Sequence, residues 1–250
     1  MKVLHTVAEM REWRRSQQGR VGFVPTMGAL HEGHASLLAR ARAGNDLVVL
    51  SVFVNPTQFN DPKDFEKYPV TWEADLRLAE QSGVDAVFAP RKEDLYPDGY
   101  HYRVQENDFS RELCGAHRPG HFDGVLTVVL KLFQLVRPQN AYFGEKDGQQ
   151  LQLIRGMVDA FFLDLNVVPV PTVREADGLA MSSRNVRLSP AERGKAPLIF
   201  KALTQSKSPQ EARGWLEDNG FKVDYIEDRG GRRYIAAFLG ETRLIDNVQI

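Results

Sequence analysis

Two histidines, His31 and His34, stand three residues apart where an apolar stretch gives way to helical spacing. The stretch 21–25 is apolar, and Gly28 and Gly33 allow a tight turn before the helix. Both imidazoles then project from one side of the first helical turn. Free backbone N–H groups and the positive end of the helix dipole would make this turn a seat for phosphate.

A solvated surface and a zinc site are the two other interpretations of this histidine pair. Neighbouring histidines on a helix are often plain surface residues. Zinc-binding histidines on a helix usually stand four residues apart, and the single cysteine, Cys114, supplies no cluster of further ligands. Phosphate binding is favoured because other phosphate-binding residue types follow along the chain.

Lys146 follows a short apolar strand and a glycine, just before a second helical pattern. A lysine at such a junction is a point charge for nucleotide phosphates, while Asp147 would serve equally well as a helix N-cap. The run Met-Ser-Ser-Arg at 181–184 adds two hydroxyl donors and a guanidinium, which are groups that grip a triphosphate. Small polar residues beside glycine also form ordinary loops.

Gln58 follows the near-continuous apolar run 46–55, which is typical of a strand covered on both faces in a parallel sheet. Polar side chains at the carboxyl ends of such strands often contact ligands, although an ordinary loop glutamine is the simpler interpretation. The segment 90–124 is rich in glycine and proline, and we expect it to be a long binding loop. Its candidate ligand-binding residues are Arg118, His121 and Asp123.

Composition excludes several classes of protein. The 250 residues are 42% hydrophobic, which is enough for one large or two smaller domains. The 32 Lys and Arg against 33 Asp and Glu give a net charge of −1, which argues against nucleic-acid and membrane partners. The single cysteine excludes an intramolecular disulfide and fits a reducing compartment. We recognise neither a signal peptide nor a spanning helix, so we expect a cytoplasmic protein.

Strands and helices alternate along the first part of the chain, as in α/β proteins. We predict a Rossmann-like parallel sheet with flanking helices for residues 1–175. Residues 176–250 are predicted to be a small C-terminal α+β lid domain with two helical stretches and two or three strands, including 221–226 and 234–239. The predicted helices of the larger domain are 6–18, 35–40, 71–82, 125–133 and one around 151–158. Its predicted strands are 21–25, 46–55, 86–89, 141–143 and 165–170.

Taken in order, these motifs resemble the pantothenate synthetase family of the nucleotidylyltransferase superfamily. The resemblance implies ATP-dependent condensation of (R)-pantoate with β-alanine to pantothenate, AMP and pyrophosphate through a pantoyl-adenylate. It also implies magnesium (Mg2+) and a homodimer joined through the larger domain. The resemblance extends over 21–247 and is carried by Pro25–His34, Phe53–Phe59, Phe143–Asp147, Gln149–Leu151 and Met181–Asn185.

The resemblance implies a role for each matching position. The implied catalytic residues are His31, His34, Lys146 and Arg184, with His34 as the proton donor. The implied pantoate contacts are Gln58, Gln150, Val128 and Val129, and Gln58 would also lie near β-alanine. Asp75 would bind magnesium. The implied ATP contacts are Met27, Gly28, Ala29, Leu30, His31, Glu32, Gly33, His34, Gly144, Glu145, Lys146, Asp147, Val173, Met181, Ser182, Ser183 and Arg184.

The chain departs from the family pattern locally. Gly148 stands where an aromatic residue is usual, Val70 stands where an arginine is common, and the small domain is shorter. A nucleotidylyltransferase acting on a phosphate ester and a non-catalytic RNA-binding module are the alternative functions. The acid pocket implied around Gln58 argues against the first, and the net charge against the second. Because the run 181–184 would grip phosphate from the small domain, we expect that domain to close when ATP binds.

Overall fold

The first six strands of the chain form one parallel sheet, which the computed structural model describes together with all other residues from 1 to 250. The order across the sheet is β1-β4-β3-β2-β5-β6. Its central strands are apolar throughout because helices cover both faces. The bounds are β1 Lys2–Leu4, β2 Val21–Thr26, β3 Leu47–Val52, β4 Ala86–Phe88, β5 Asn140–Gly144 and β6 Asn166–Val170.

Eight helices accompany this sheet. No helix of the protein is long and apolar enough to cross a membrane. Neighbouring strand residues point to opposite faces, so Phe23 packs with Met10 and Trp13 on one side, while Val24 packs with Leu38 on the other. The bounds are α1 Val7–Ser16, α2 Glu32–Gly44, α3 Pro62–Glu66, α4 Trp72–Gln81, α5 Lys92–Leu95, α6 Cys114–His117, α7 His121–Val136 and α8 Gly148–Ala160.

The predicted long loop 90–124 is partly helical, which corrects the sequence interpretation. It contains α5 and α6, and α7 begins four residues before the predicted start at 125. Gly124 misled the prediction because it was counted as a loop glycine. A Cβ there would lie 2.5 Å from the carbonyl oxygen of Thr57, so glycine is needed for close packing inside the helix. Strand β1 was not predicted, since three residues are too short for a recognisable pattern.

A second sheet of three antiparallel strands follows, with three helices where two stretches were predicted. One face packs on these helices through residues such as Ile199 and Ile235. The other face sends Tyr225, Tyr234 and Ala236 into the apolar core of the large sheet, so the two sheets share one core. The bounds are α9 Pro190–Lys195, α10 Leu198–Gln205, α11 Pro209–Asp218, β7 Lys222–Arg229, β8 Arg232–Leu239 and β9 Thr242–Gln249.

The predicted fold class is confirmed: a parallel sheet with flanking helices and a smaller α+β region. The predicted boundary between residues 175 and 176 lies inside a turn that is closed by a bridge between Arg174 and Ala180. The two-domain division itself stays a prediction.

Truncation of Phe23 should strongly destabilise the protein. This side chain is fully buried in the central strand and packs edge-on against Phe133, with ring centroids 6.3 Å apart. Phe23→Ala should lower the free energy of unfolding by about 3–5 kcal/mol, measured by urea denaturation. Phe162→Ala is the matched control, because Phe162 is 93% exposed and should change stability by less than about 0.5 kcal/mol. Equal effects of the two substitutions would contradict the described core.

Candidate active site

A cleft lies where the strand order of the large sheet reverses. The chain runs outward from β2 through β3 to β4 and then returns, so that β5 pairs with the other edge of β2. The carboxyl ends of β2 and β5 therefore face one crevice, which is where open α/β sheets bind ligands. The cleft has a volume of about 1090 Å³ and is lined by residues of both sheets.

Most of the predicted site residues meet in this cleft. The predicted residues that do not line it belong to the backs of the turns and to the underlying helix: Gly28, Ala29, Leu30, Glu32, Glu145 and Asp75. The predicted residues that line it are Met27, His31, Gly33, His34, Gln58, Val128, Val129, Gly144, Lys146, Asp147, Gln150, Val173, Met181, Ser182, Ser183 and Arg184.

Hydrogen bonds within the histidine turn fix the tautomers of His31 and His34. The Nδ1 of His31 accepts a hydrogen bond from the backbone N–H of Gly33 at 3.1 Å. The Nδ1 of His34 accepts one from the backbone N–H of His31 at 3.3 Å. Because a nitrogen that accepts carries no proton, each neutral ring is protonated on Nε2. The Nε2–H groups are thus left as donors for a ligand.

Both histidines are neutral at pH 7 in the free protein. Burial, together with the nearby His31 and Lys146, lowers the pKa of His34 to about 3. Burial and Lys146 also lower the pKa of His31. The cleft therefore presents two neutral N–H donors beside the ammonium group of Lys146. This combination suits the binding of an anion.

The backbone N–H groups of the turn before α2 are already used inside the protein. Gly28 and Ala29 both adopt the left-handed region, with φ of +80° and +51°. This conformation points the N–H groups of Ala29 and Leu30 at the carboxylate of Asp75, at 3.0 and 2.8 Å. These two amides, which precede α2, are therefore not free to bind phosphate, and phosphate binding at the N-terminus of α2 itself stays a prediction. Side chains supply the donors instead.

Asp75 does not fit the implied role of a direct magnesium ligand. Its two oxygens accept hydrogen bonds from Ala29, Leu30 and the hydroxyl of Thr71, and the residue is 2% exposed. No group of three or more His, Cys, Asp or Glu side chains is arranged to hold a metal ion. Magnesium usually keeps several waters and binds chiefly substrate phosphates, so a protein cage is not required for it. The magnesium requirement itself stays a prediction.

Arg184 is held by a carboxylate that the sequence interpretation missed. Its Nη2 lies 2.9 Å from Oδ2 of Asp64 on α3, and Nη1 of Arg187 lies 2.6 Å from Oδ1 of Asp64. Burial opposes ionisation of Asp64, but the two guanidinium groups outweigh it and lower its pKa. Beside this pair, the hydroxyls of Tyr68 and Ser183 lie 3.2 Å apart. The segment 64–68 and the segment 183–187 are thus in direct contact at the cleft.

Gln58 is oriented by Asn55, a residue whose role could not be predicted from the sequence. The Nδ2 of Asn55 donates to Oε1 of Gln58 at 3.0 Å, and Asn55 is 1% exposed. Oε1 is therefore occupied, and the Nε2 of Gln58 lies 3.2 Å from the sulfur of Met27 in the cleft. Gln58 presents its donor end to a ligand.

Gln150 and the valines form the inner wall. Gln149 is buried and binds the backbone of the segment before α6 through both ends of its amide, whereas Gln150 is half-buried at the cleft. Val128 and Val129 line the same wall from α7. Of the two neighbouring glutamines, only Gln150 has its side chain free of backbone partners, and its implied contact with pantoate stays a prediction.

His121 and Arg118, two of the loop candidates, lie beneath Gln58. The Nδ1–H of His121 donates to the carbonyl oxygen of Gln58 at 2.8 Å, so its Nε2 accepts from Arg118 at 3.1 Å. Burial first and Arg118 second lower the pKa of His121 to about 3. The guanidinium of Arg118 donates to His121 and to the carbonyl oxygen of Gln58 and pairs with no carboxylate, so its positive charge is available to an anion in the cleft. Asp123 instead accepts a hydrogen bond from Gln105 at the surface.

Comparison with known proteins gives one consistent match. A family model described as Pantoate-beta-alanine ligase matches residues 2–249. A "Pantothenate synthetase" of Bdellovibrio bacteriovorus is 66% identical over 249 residues, covering 100% of this chain and 99% of the relative. One from Legionella pneumophila strain Lens is 51% identical over 249 residues, covering 99% of both chains.

Solved structures of similar proteins cover the whole chain. A pantoate-beta-alanine ligase from Francisella tularensis, complexed with beta-gamma ATP and beta-alanine, has a TM-score of 0.96 at 40% identity. The match covers 100% of this chain and 97% of that one. A pantothenate synthetase from Thermus thermophilus has a TM-score of 0.93 at 45% identity, covering 100% of this chain and 99% of that one.

The buried neutral histidines should make stability depend on pH. The folded His121 has a pKa of about 3, whereas an unfolded histidine titrates near 6.5, so the unfolded chain binds more protons between these values. Stability therefore falls as the pH drops below about 6.5, by up to about 1.4 kcal/mol per pH unit for each such histidine. His121→Gln should be less stable at pH 7.5 yet lose less stability down to pH 5, measured by urea denaturation.

The control for this measurement is His101→Gln, because His101 is exposed. That variant should keep both the wild-type stability and its pH dependence. An unchanged pH dependence in His121→Gln would show that His121 is not held neutral in the folded protein.

Proposed function

Because the chain belongs to the pantoate-beta-alanine ligase family, we propose that this cleft joins (R)-pantoate to β-alanine in two steps. In the first step, a carboxylate oxygen of pantoate attacks the α-phosphorus of ATP, and pyrophosphate leaves. In the second, the amine of β-alanine attacks the carboxyl carbon of pantoyl-adenylate, AMP leaves and the amine loses a proton. ATP is thus a substrate, and the overall products are pantothenate, AMP and pyrophosphate.

The observation that carries this proposal is the convergence of three loops at the strand reversal. The histidine turn after β2, Lys146 after β5 and the acid pocket at Gln58 after β3 share one cleft. Two anions, ATP and a carboxylate, must approach each other for adenylation, so the barrier is lowered by donors aimed at the phosphoryl oxygens. The loops at the carboxyl ends of β2, β3 and β5 place such donors around one cleft.

His31 and His34 act in this proposal as hydrogen-bond donors from Nε2. They are neutral before ATP binds, and the triphosphate adds negative charge close to both rings. A nearby negative charge favours the protonated imidazole, so ATP binding raises the pKa of both histidines. The family resemblance implies that His34 is the proton donor. Because Nε2 already carries a proton, His34 can take up a second one only on Nδ1, which must first release the backbone N–H of His31. Lys146 and Arg184 complete the cationic part of the site.

Two kinds of wall fit the two acceptor substrates. The apolar face of Val128 and Val129 suits the methyl groups of pantoate, and the amides of Gln58 and Gln150 suit its hydroxyl and carboxylate groups. The guanidinium of Arg118, which lies beside Gln58 and has no carboxylate partner, suits the carboxylate of β-alanine. The similar protein from Francisella tularensis was solved with beta-alanine, which supports this substrate. The phosphate-ester alternative is not favoured.

The remaining implied features are part of the same proposal. Magnesium would enter with the triphosphate, because the donor set around Asp75 offers it no free ligand. A homodimer through the larger domain and a cytoplasmic location stay predictions. Closure over ATP also stays a prediction, and the contact between Asp64 and Arg184 indicates which segments would move. Only Nη2 of Arg184 contacts Asp64, so the other N–H groups of its guanidinium are left to bind a phosphate.

Pantoate-dependent exchange of pyrophosphate into ATP tests the two-step reaction. If adenylate forms before the amine arrives, labelled pyrophosphate should enter ATP with pantoate alone and without β-alanine. Exchange that requires β-alanine would contradict the stepwise course. Formation of AMP from ATP, pantoate and β-alanine tests the overall reaction.

Single substitutions should separate the nucleotide residues from the acid-binding residues. His34→Ala and Lys146→Ala should each lower the rate of exchange by about 10²- to 10⁴-fold with the fold intact, because each removes a donor to transition-state charge. Gln150→Ala should chiefly raise the KM for pantoate. Gln149→Ala is not a suitable comparison, since Gln149 is a buried structural residue. Near-normal single-turnover rates in both His34→Ala and Lys146→Ala would remove their assignment.

A further inference from the structure

Two neighbouring polar residues near the end of β9, Asp246 and Asn247, are buried between the small sheet and the cleft. They are 4% and 3% exposed, although buried Asp and Asn need partners for every polar atom. Neither residue carries a role in the proposed reaction. Their partners explain the burial, because each holds a different nucleotide loop of the candidate site.

Asn247 holds the loop that carries Lys146. Its Nδ2 donates to the carbonyl oxygens of Glu145 and Lys146, at 2.9 and 2.8 Å. Its Oδ1 accepts a hydrogen bond from Arg232, so the amide has only one possible orientation. A carbonyl pinned on each side of the Cα of Lys146 fixes the point from which the ammonium group extends.

Gly148 permits this close approach. A Cβ at position 148 would lie 3.1 Å from a ring carbon of Tyr234 and 3.2 Å from Nδ2 of Asn247. The small sheet therefore packs directly against the start of α8. The departure from the family pattern at this position is matched by side chains of β8 and β9, which occupy the adjacent space.

Asp246 holds the turn that leads to Arg184. Its carboxylate binds the guanidinium of Arg174 through two hydrogen bonds, at 2.6 and 3.0 Å. Arg174 in turn donates to the carbonyl oxygen of Gly178 at 3.1 Å and stacks on Phe200, with its guanidinium carbon 3.9 Å from the ring centroid. These contacts fix the turn immediately before the run 181–184.

The two loops are also tied to each other. The backbone N–H of Asn247 donates to Oδ1 of Asp246 at 2.8 Å, so the two side chains are parts of one hydrogen-bonded unit. Through this unit, the loop that carries Lys146 and the turn that leads to Arg184 are both hydrogen-bonded to the same two residues of β9. A triphosphate gripped by both loops needs their separation to be correct within a fraction of an ångström.

We propose that Asp246 and Asn247 are positioning residues that set the spacing between Lys146 and Arg184 for ATP. This inference rests on the nucleotide roles given to those two residues under the proposed function. Its consequence is specific: loss of the pair weakens ATP binding, while the part of the pantoate pocket that lies on α7 and beside Gln58 keeps its geometry.

The test uses Asn247→Asp and Asp246→Asn in the whole protein. Asn247→Asp keeps the shape of the side chain but replaces the donor with an acceptor facing two carbonyls. ATP affinity, measured by calorimetry, should fall by about 10- to 100-fold in each variant, as expected for misplaced binding groups. In steady-state assays the KM for ATP should rise similarly, and the KM for pantoate should change by less than about 3-fold.

The matched control is Asp228→Asn on the same sheet. It breaks the two-point pair between Asp228 and Arg233, at 2.6 and 2.8 Å, which touches neither nucleotide loop. This control should lower the thermal unfolding midpoint but leave ATP affinity at the wild-type value. Equal loss of ATP affinity in the control, or unchanged affinity in Asn247→Asp, would overturn the positioning role.

Failure of the proposed function gives a different result. A wild-type protein that binds ATP but exchanges no pyrophosphate with pantoate would contradict the reaction, and calorimetry on the variants would still decide the positioning role. A wild-type protein that does not bind ATP would overturn both.

Discussion

The pairing of β5 with β2 is the contact on which the rest of the site depends. Only two residue pairs define it, Gly22 with Asn140 and Phe23 with Ala141, yet it brings together loops separated by more than one hundred positions in the chain. Every cationic donor of the cleft then approaches from the ends of these strands or from the segments that cover them. A slip in this register would move the lysine loop relative to the histidine turn and would also turn buried side chains outward.

Electrostatics in the cleft follow from which groups are left without partners. Asp75 takes up the amides of the histidine turn, and Asp64 takes up Arg184, whereas Arg118 has no carboxylate. Neutral histidines beside Lys146 avoid the repulsion that three adjacent cations would suffer before a ligand arrives. Without a ligand, the cleft therefore carries fewer adjacent positive charges than its residue types alone would suggest.

The sequence was sufficient for the features that are local in the chain. Apolar runs identified the central strands, and the turn with its glycines identified the crevice, because strand ends and helix starts are encoded within a few residues. The start of α7 was placed too late because a packing glycine looks the same as a loop glycine. Partners such as Asp64 could not be predicted, since an isolated acidic residue carries no signal of the arginine it will meet 120 positions later. Asp75 shows a related difficulty. An aspartate that binds a metal ion and one that accepts hydrogen bonds from a turn cannot be distinguished by residue type alone.

The small sheet shares its core with the large one and places Asn247 against the lysine loop. This arrangement has a consequence for biosynthesis of the protein. All the quoted sequence motifs leave the ribosome before β9 is made, so the nascent chain carries the complete set of chemical groups without the strand that sets their spacing. The proposed nucleotide site is therefore complete only after β9 has been synthesised. A chain that stops short of β9 would retain every one of these motifs, lack both Asp246 and Asn247, and leave the edge of β8 that pairs with β9 without a partner strand.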